Sequence, residues 1–142
     1  MRFLDACRRK TTDATPVWFM RQAGRYMPEY RAIRAKASFL EMCERPDIAA
    51  EVTLQPVKFM DVDAAILYAD ILLPVRPMGV ALEFLKGEGP RLAPAVRAPK
   101  DVARLRVFKP EEDLGYVMDT IRLVRRELSG RIPLIGFAGA PF

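Results

Sequence analysis

Residues 64–69, Ala-Ala-Ile-Leu-Tyr-Ala, constrain the fold more than any other stretch of this 142-residue chain. The run is apolar without alternation, the pattern of a strand covered on both faces. Such strands belong to parallel sheets whose neighbours are joined by crossover helices. Residues 16–23 read as a first strand, punctuated by Pro16, with Val17, Trp18 and Phe19 favouring extended structure. Residues 132–142 read as a third strand running into a glycine-rich turn. Helical patterns lie between them. Residues 28–35 open with Pro28 and Glu29 in the first turn. A helix starting at Pro46-Asp47 places Ile48, Val52 and Pro56 on one face, and Pro56 is expected to kink or end it early. The clearest helix, residues 111–128, carries Leu114, Val117, Met118, Ile121, Val124 and Leu128 as one stripe. Acids occupy its first turn, and Gly130 sits near its stop. Residues 79–85 read as a hairpin arm turning at 86–90, and the proline-rich stretch 90–100 as irregular.

The expected class is α/β with parallel strands, in one domain spanning residues 1–142. Three strand–helix units cannot close a (β/α)8 TIM barrel, and an open three-stranded parallel sheet would leave apolar faces and edges uncovered. The ending Gly139-Ala140-Pro141-Phe142, with no helix after it, therefore leads us to expect the N-terminal part of a TIM barrel, truncated after its third major strand.

The run Arg21-Gln22-Ala23-Gly24-Arg25-Tyr26-Met27-Pro28-Glu29-Tyr30-Arg31 carries three guanidinium groups in eleven residues. Arg21 and Arg25 stand beside Trp18, Phe19, Met20, Tyr26 and Met27. That neighbourhood predicts partly dehydrated charges that an anion must compensate. Planar donor forks of this kind grip carboxylate or phosphate in bidentate fashion. A net charge of +5 with no histidine favours acidic ligands without identifying them. The basic residues are spread along the chain, and no zinc-finger or RNP-type motif occurs, so nucleic acid is not an expected partner. Cys7 and Cys43 lack metal-ligand spacing and read as free thiols of a reducing compartment, with no metal site expected. The first ten residues are too poor in apolar side chains for a signal peptide. No run approaches the roughly 18 apolar residues of a membrane span, so no membrane partner is expected and a cytoplasmic setting is.

The motifs closely resemble those of the uroporphyrinogen decarboxylase family. The likeness begins at Pro16-Val17-Trp18-Phe19-Met20 and the arginine run. It continues through Thr53-Leu54-Gln55-Pro56, residues 63–72 and Gly87-Glu88-Gly89-Pro90, and closes with residues 133–141. The resemblance implies a single-domain (β/α)8 barrel, homodimeric, cofactor-free and more than twice this length. Its substrate is uroporphyrinogen, a tetrapyrrole whose four acetates lose CO2 to become the methyls of coproporphyrinogen.

By resemblance, Arg21, Gln22, Ala23, Gly24 and Arg25 line the cleft, and Arg34 contacts the substrate periphery. Asp70, at the end of a barrel strand, accepts hydrogen bonds from the pyrrole N–H groups. A carboxylate there stabilises the cation that forms when a pyrrole carbon is protonated. Aspartate is also favoured as a cap at such positions, and that reading stands beside the catalytic one. Arg21 is the matching proton donor; its high pKa makes direct transfer uphill, and water shuttled by Arg21 competes with it. A salt bridge to Glu29 or Asp70 is the structural alternative for Arg21 and Arg25. Arg31 reads as structural, pairing with an acid. Ile66 and Phe137 match pocket-lining positions, with ordinary packing as the alternative. The family's tyrosine, serine and histidine from later in the barrel have no counterpart here, so the fragment alone is expected to be inactive. Two rivals remain: a non-catalytic anion-binding half-barrel, and a related corrinoid-dependent methyltransferase.

Overall fold

The computed structural model describes residues 1–85 and 89–139. Helix α1 spans Arg2–Cys7, α2 Pro28–Arg34, α3 Phe39–Glu44 and α4 Pro46–Met60. Strand β1 (Ala65–Ile66) follows, then a 3-10 turn at Leu73–Val75 and the strands β2 (Ala81–Leu85) and β3 (Gly89–Ala93). Helices α5 (Pro99–Val102), α6 (Pro110–Asp113) and α7 (Gly115–Leu128) lead to β4 (Leu134–Ile135).

Strands β1 and β4 are parallel neighbours, with Ala65 opposite Leu134 and Ile66 opposite Ile135. The pairing runs past the short strands, since Ala65 N donates to Pro133 O and Leu67 N to Ile135 O. Helix α4 packs on α7 across this pair. Ala50, Ala65, Val124 and Leu128 form the buried centre, flanked by Leu54, Val57, Leu123, Ile132 and Leu134. Removing an aliphatic side chain of this size from water is worth about 1.5–3 kcal/mol each. The expected parallel α/β arrangement is therefore present between residues 46 and 135.

The segment 16–23 is not a strand. Its one ladder-like bond among the described residues is Asp63 N to Val17 O (2.8 Å), supported by Val17 N donating to the Asp63 carboxylate (2.7 Å). Beyond Val17 no neighbouring strand among the described residues supplies partners, so the chain is extended but unladdered. Three further expectations are corrected. Helix α4 runs through Pro56, which lies buried in it, and ends at Asp61 in the left-handed region (φ 47°). The expected helix 111–128 is two helices, broken at Leu114 (φ −123°, ψ 29°), whose side chain is buried with Cys43 and Leu73. Residues 90–93, expected to be irregular, belong with Gly89 to the second arm of an antiparallel hairpin with β2; of the expected turn 86–90, residues 86–88 lie outside the described residues.

Helices α1 and α3 had no place in the sequence reading. A local signal for α3 exists: Ser38 accepts from Glu41 N while the Glu41 carboxylate accepts from Ser38 N, a reciprocal cap. No helix among the described residues is long and apolar enough to cross a membrane.

Candidate functional site

The arginine run folds as a turn held at several points. The Gln22 side chain is buried, and its Oε1 accepts the Phe19 N–H at 3.2 Å. The Tyr26 hydroxyl donates to the Gln22 carbonyl, and Met27 N donates to Gly24 O at 3.0 Å. The Tyr26 ring lies 3.4 Å from where a side chain on Gly24 would begin, so the ring packs closely over the turn. Pro28 then starts α2 with a φ already suited to the helix.

Arg21 and Arg25 project from this turn exposed to water, and neither makes an ion pair among the described residues. Neither Glu29 nor Asp70 therefore bridges to them. Their expected apolar neighbourhood is also absent. Val17, Phe19, Met20 and Tyr26 are exposed, and of the residues in that neighbourhood only Met27 is buried. What remains of the anion-binding argument is geometric: two free guanidinium forks four residues apart on a pinned turn.

Arg31 is structural, as its position suggested, but it pairs with no acid among the described residues. Its Nη1 donates to the carbonyls of Arg25 (2.8 Å) and Tyr26 (3.2 Å). Arg34 is half-buried and donates to Ala37 O at 2.8 Å, closing the end of α2.

Asp70 lies just beyond β1, half-buried. Its Oδ1 accepts the Leu72 N–H at 2.7 Å, so the aspartate caps the turn into Leu73–Val75. Capping thus occupies one oxygen and leaves the other, Oδ2, without a hydrogen-bond partner among the described residues. Ile66 is half-buried, and Phe137 is exposed.

A core cluster of Met27, Tyr30, Met42 and Val52 brings the two halves of the site together. Ala23, from the arginine turn, packs on it, and so does Tyr68, two residues before Asp70. Tyr68 also reaches the second cluster of Cys43, Leu73 and Leu114. Its hydroxyl meets that of Tyr30 at 3.2 Å. Burial first, and then the Tyr30 hydroxyl, push the Tyr68 phenol well above its ordinary range, while the nearby Arg34 charge pulls it down. Burial and then the Asp70 carboxylate push the Cys43 thiol up to about 12. Tyr68 therefore joins the cluster under Ala23 to the one that holds Cys43 and Leu73. Sequence reading missed that junction because each residue is an ordinary core type.

The uroporphyrinogen decarboxylase (URO-D) family profile matches residues 1–142. A protein named uroporphyrinogen decarboxylase from Sorangium cellulosum (strain So ce56) is 64% identical over 141 residues, covering 99% of this chain and 40% of the relative. Relatives of the same name from Geobacter metallireducens and Geobacter sulfurreducens are 62% and 60% identical, each covered to 41%. The chain thus spans about two-fifths of the length of the curated relatives it matches. Among solved structures, a methyltransferase from Methanosarcina mazei superposes with a TM-score of 0.68 at 19% identity, over 99% of this chain and 42% of that one. At that identity the likeness speaks for the fold alone, a partial TIM-barrel-type α/β arrangement.

Proposed function

Because the chain belongs to the uroporphyrinogen decarboxylase family, we propose that it supplies the carboxylate-gripping turn and the catalytic aspartate of an enzyme converting uroporphyrinogen III to coproporphyrinogen III. The observation that carries this reading is the shared core cluster: Ala23 of the arginine turn and Tyr68 beside Asp70 rest on the same four side chains. Two exposed cations and a carboxylate with one oxygen free are thereby held to one region of the molecule.

The chemistry needs both signs of charge. An acetate on a pyrrole cannot release CO2 until the ring will accept the bonding electron pair. Protonating a ring carbon creates that acceptor, and the electrons of the breaking C–C bond neutralise it. The exocyclic methylene then takes a proton to become a methyl, and the ring carbon gives up the proton it first received, so one proton is consumed for each CO2 released. Asp70 Oδ2 faces the pyrrole N–H groups and stabilises the cationic ring, an effect of about 3 kcal/mol for one well-placed group. Arg21 and Arg25, with the backbone of Gln22, Ala23 and Gly24, hold the carboxylates that are not reacting. Arg34 lies at the periphery. Arg21 stands in water, which favours proton delivery by a water held at Arg21 over donation from the guanidinium itself. No cofactor enters this scheme. The reading carries with it the barrel completed at full length, a homodimer and a cytoplasmic setting.

Trp18, the sole tryptophan, lies three residues before Arg21 and reports on the grip. Titrating the chain with uroporphyrinogen III in anaerobic buffer should quench Trp18 emission saturably, and the Arg21→Ala/Arg25→Ala protein should lose the effect. Equal quenching in both proteins would remove the arginines from substrate binding.

A further inference from the structure

The third guanidinium of the motif is exposed, as the other two are, but it bonds back to the chain. Arg31 Nη1 donates to the carbonyls of Arg25 and Tyr26, which belong to the two consecutive peptides flanking the Tyr26 α-carbon. A guanidinium donating to a carbonyl is stronger than a neutral pair and is directional. The bonds around it are local. Met27 N reaches Gly24 O, Arg31 N reaches Met27 O, and the Tyr26 hydroxyl reaches Gln22 O. Arg31 adds the side-chain link from α2 to the Arg25 end of the turn, and among the described residues it has no acid to hold it elsewhere.

We propose that Arg31 is a positioning residue: it fixes the carbonyls of Arg25 and Tyr26 so that the Arg25 fork is presented to an anionic ligand in one orientation. The inference rests on the anion-gripping role of Arg21 and Arg25. A fork that is already oriented loses less freedom on binding, so the benefit is in affinity. Lysine is a poor substitute, since its ammonium sits on a shorter stem and lacks the planar fork.

Two measurements on this chain test the proposal. Trypsin cuts after Arg25 only when the turn opens, so the native-state cleavage rate reads the turn directly. Arg31→Met should speed cleavage of the Arg25–Tyr26 bond about tenfold, the loss of roughly one charge-assisted bond, while cleavage after Arg122 on α7 stays as it was. The same variant should weaken the uroporphyrinogen titration of Trp18 about tenfold, with Arg31→Lys recovering part of both effects. If cleavage after Arg25 rises no more than cleavage after Arg122, the positioning role is wrong while the grip stands. If the turn loosens and affinity does not change, its link to binding is wrong. If Arg21→Ala/Arg25→Ala binds as well as the parent, the grip itself fails and takes this role with it.

Discussion

The Thr53 hydroxyl, inside α4, accepts the backbone N–H of Tyr68 at 2.9 Å and donates to Ala49 O at 2.7 Å. One fully buried oxygen thus fastens the helix to the segment leaving β1, two residues before Asp70. Thr53→Val keeps the shape and leaves the Tyr68 N–H without a partner, which should cost about 1–3 kcal/mol of stability. Thr53→Ser should cost only the methyl, about 1 kcal/mol. Urea unfolding of the two variants checks the ranking, and equal losses would contradict it.

Asp70→Asn retains an oxygen able to cap Leu72 while removing the charge. In a full-length chimera, these residues replacing the matching 141 of the Sorangium cellulosum relative, the variant should lose about 100-fold in kcat. Its thermal melt should match that of the unsubstituted chimera. Unchanged turnover would reduce Asp70 to a cap.

Arg2 links α1 to two aspartates, pairing with Asp13 through both Nε (2.8 Å) and Nη2 (2.6 Å) and with Asp63 at 2.8 Å. The hydrogen bond from Arg2, followed by its charge, holds the Asp13 carboxyl down at about 2. A folded value below the unfolded one means that the pair stabilises the fold fully above about pH 4. That contribution is lost as pH falls through about 2. The Tm gap between the parent chain and Asp13→Asn should therefore be positive at pH 6 and close between pH 4 and pH 2. A gap indifferent to pH would contradict the pairing. Both partners face solvent, so the gap should also shrink with added salt.

Cys43 is buried with its thiol pushed up to about 12, whereas Cys7 is exposed. Alkylation at pH 8 should label Cys7 promptly and Cys43 only on unfolding, because the thiolate is the reactive form. Equal labelling rates, followed by mass spectrometry, would mean that the core around Cys43, Leu73 and Leu114 is open.

The parts of the fold that sequence made legible were those whose signals are local. Pro28 and Pro46 mark the starts of α2 and α4, and the stripe ending at Leu128 marks α7. The break at Leu114 was hidden because it is set by packing against Cys43 and Leu73, residues far away in sequence. The segment 16–23 has the composition of a strand, but a strand also needs neighbours, and among the described residues only Asp63 supplies a ladder bond. At the site, the motif named Arg21, Arg25 and Asp70, yet it could not tell an apolar setting from a wet one. The flanking Phe19, Met20 and Tyr26 face water. Thr53 was illegible as a support, and Arg31 was read as structural with the wrong kind of partner, because both bond to backbone atoms, which carry no residue-type signal.

Turnover by the unsubstituted chimera tests the central claim most directly: this stretch supplies the anion grip and the carboxylate of a decarboxylase. Incubated with uroporphyrinogen III, the chimera should release CO2 and yield coproporphyrinogen III at a rate within about tenfold of the Sorangium cellulosum parent. A chimera that melts cooperatively and forms no product would contradict the account.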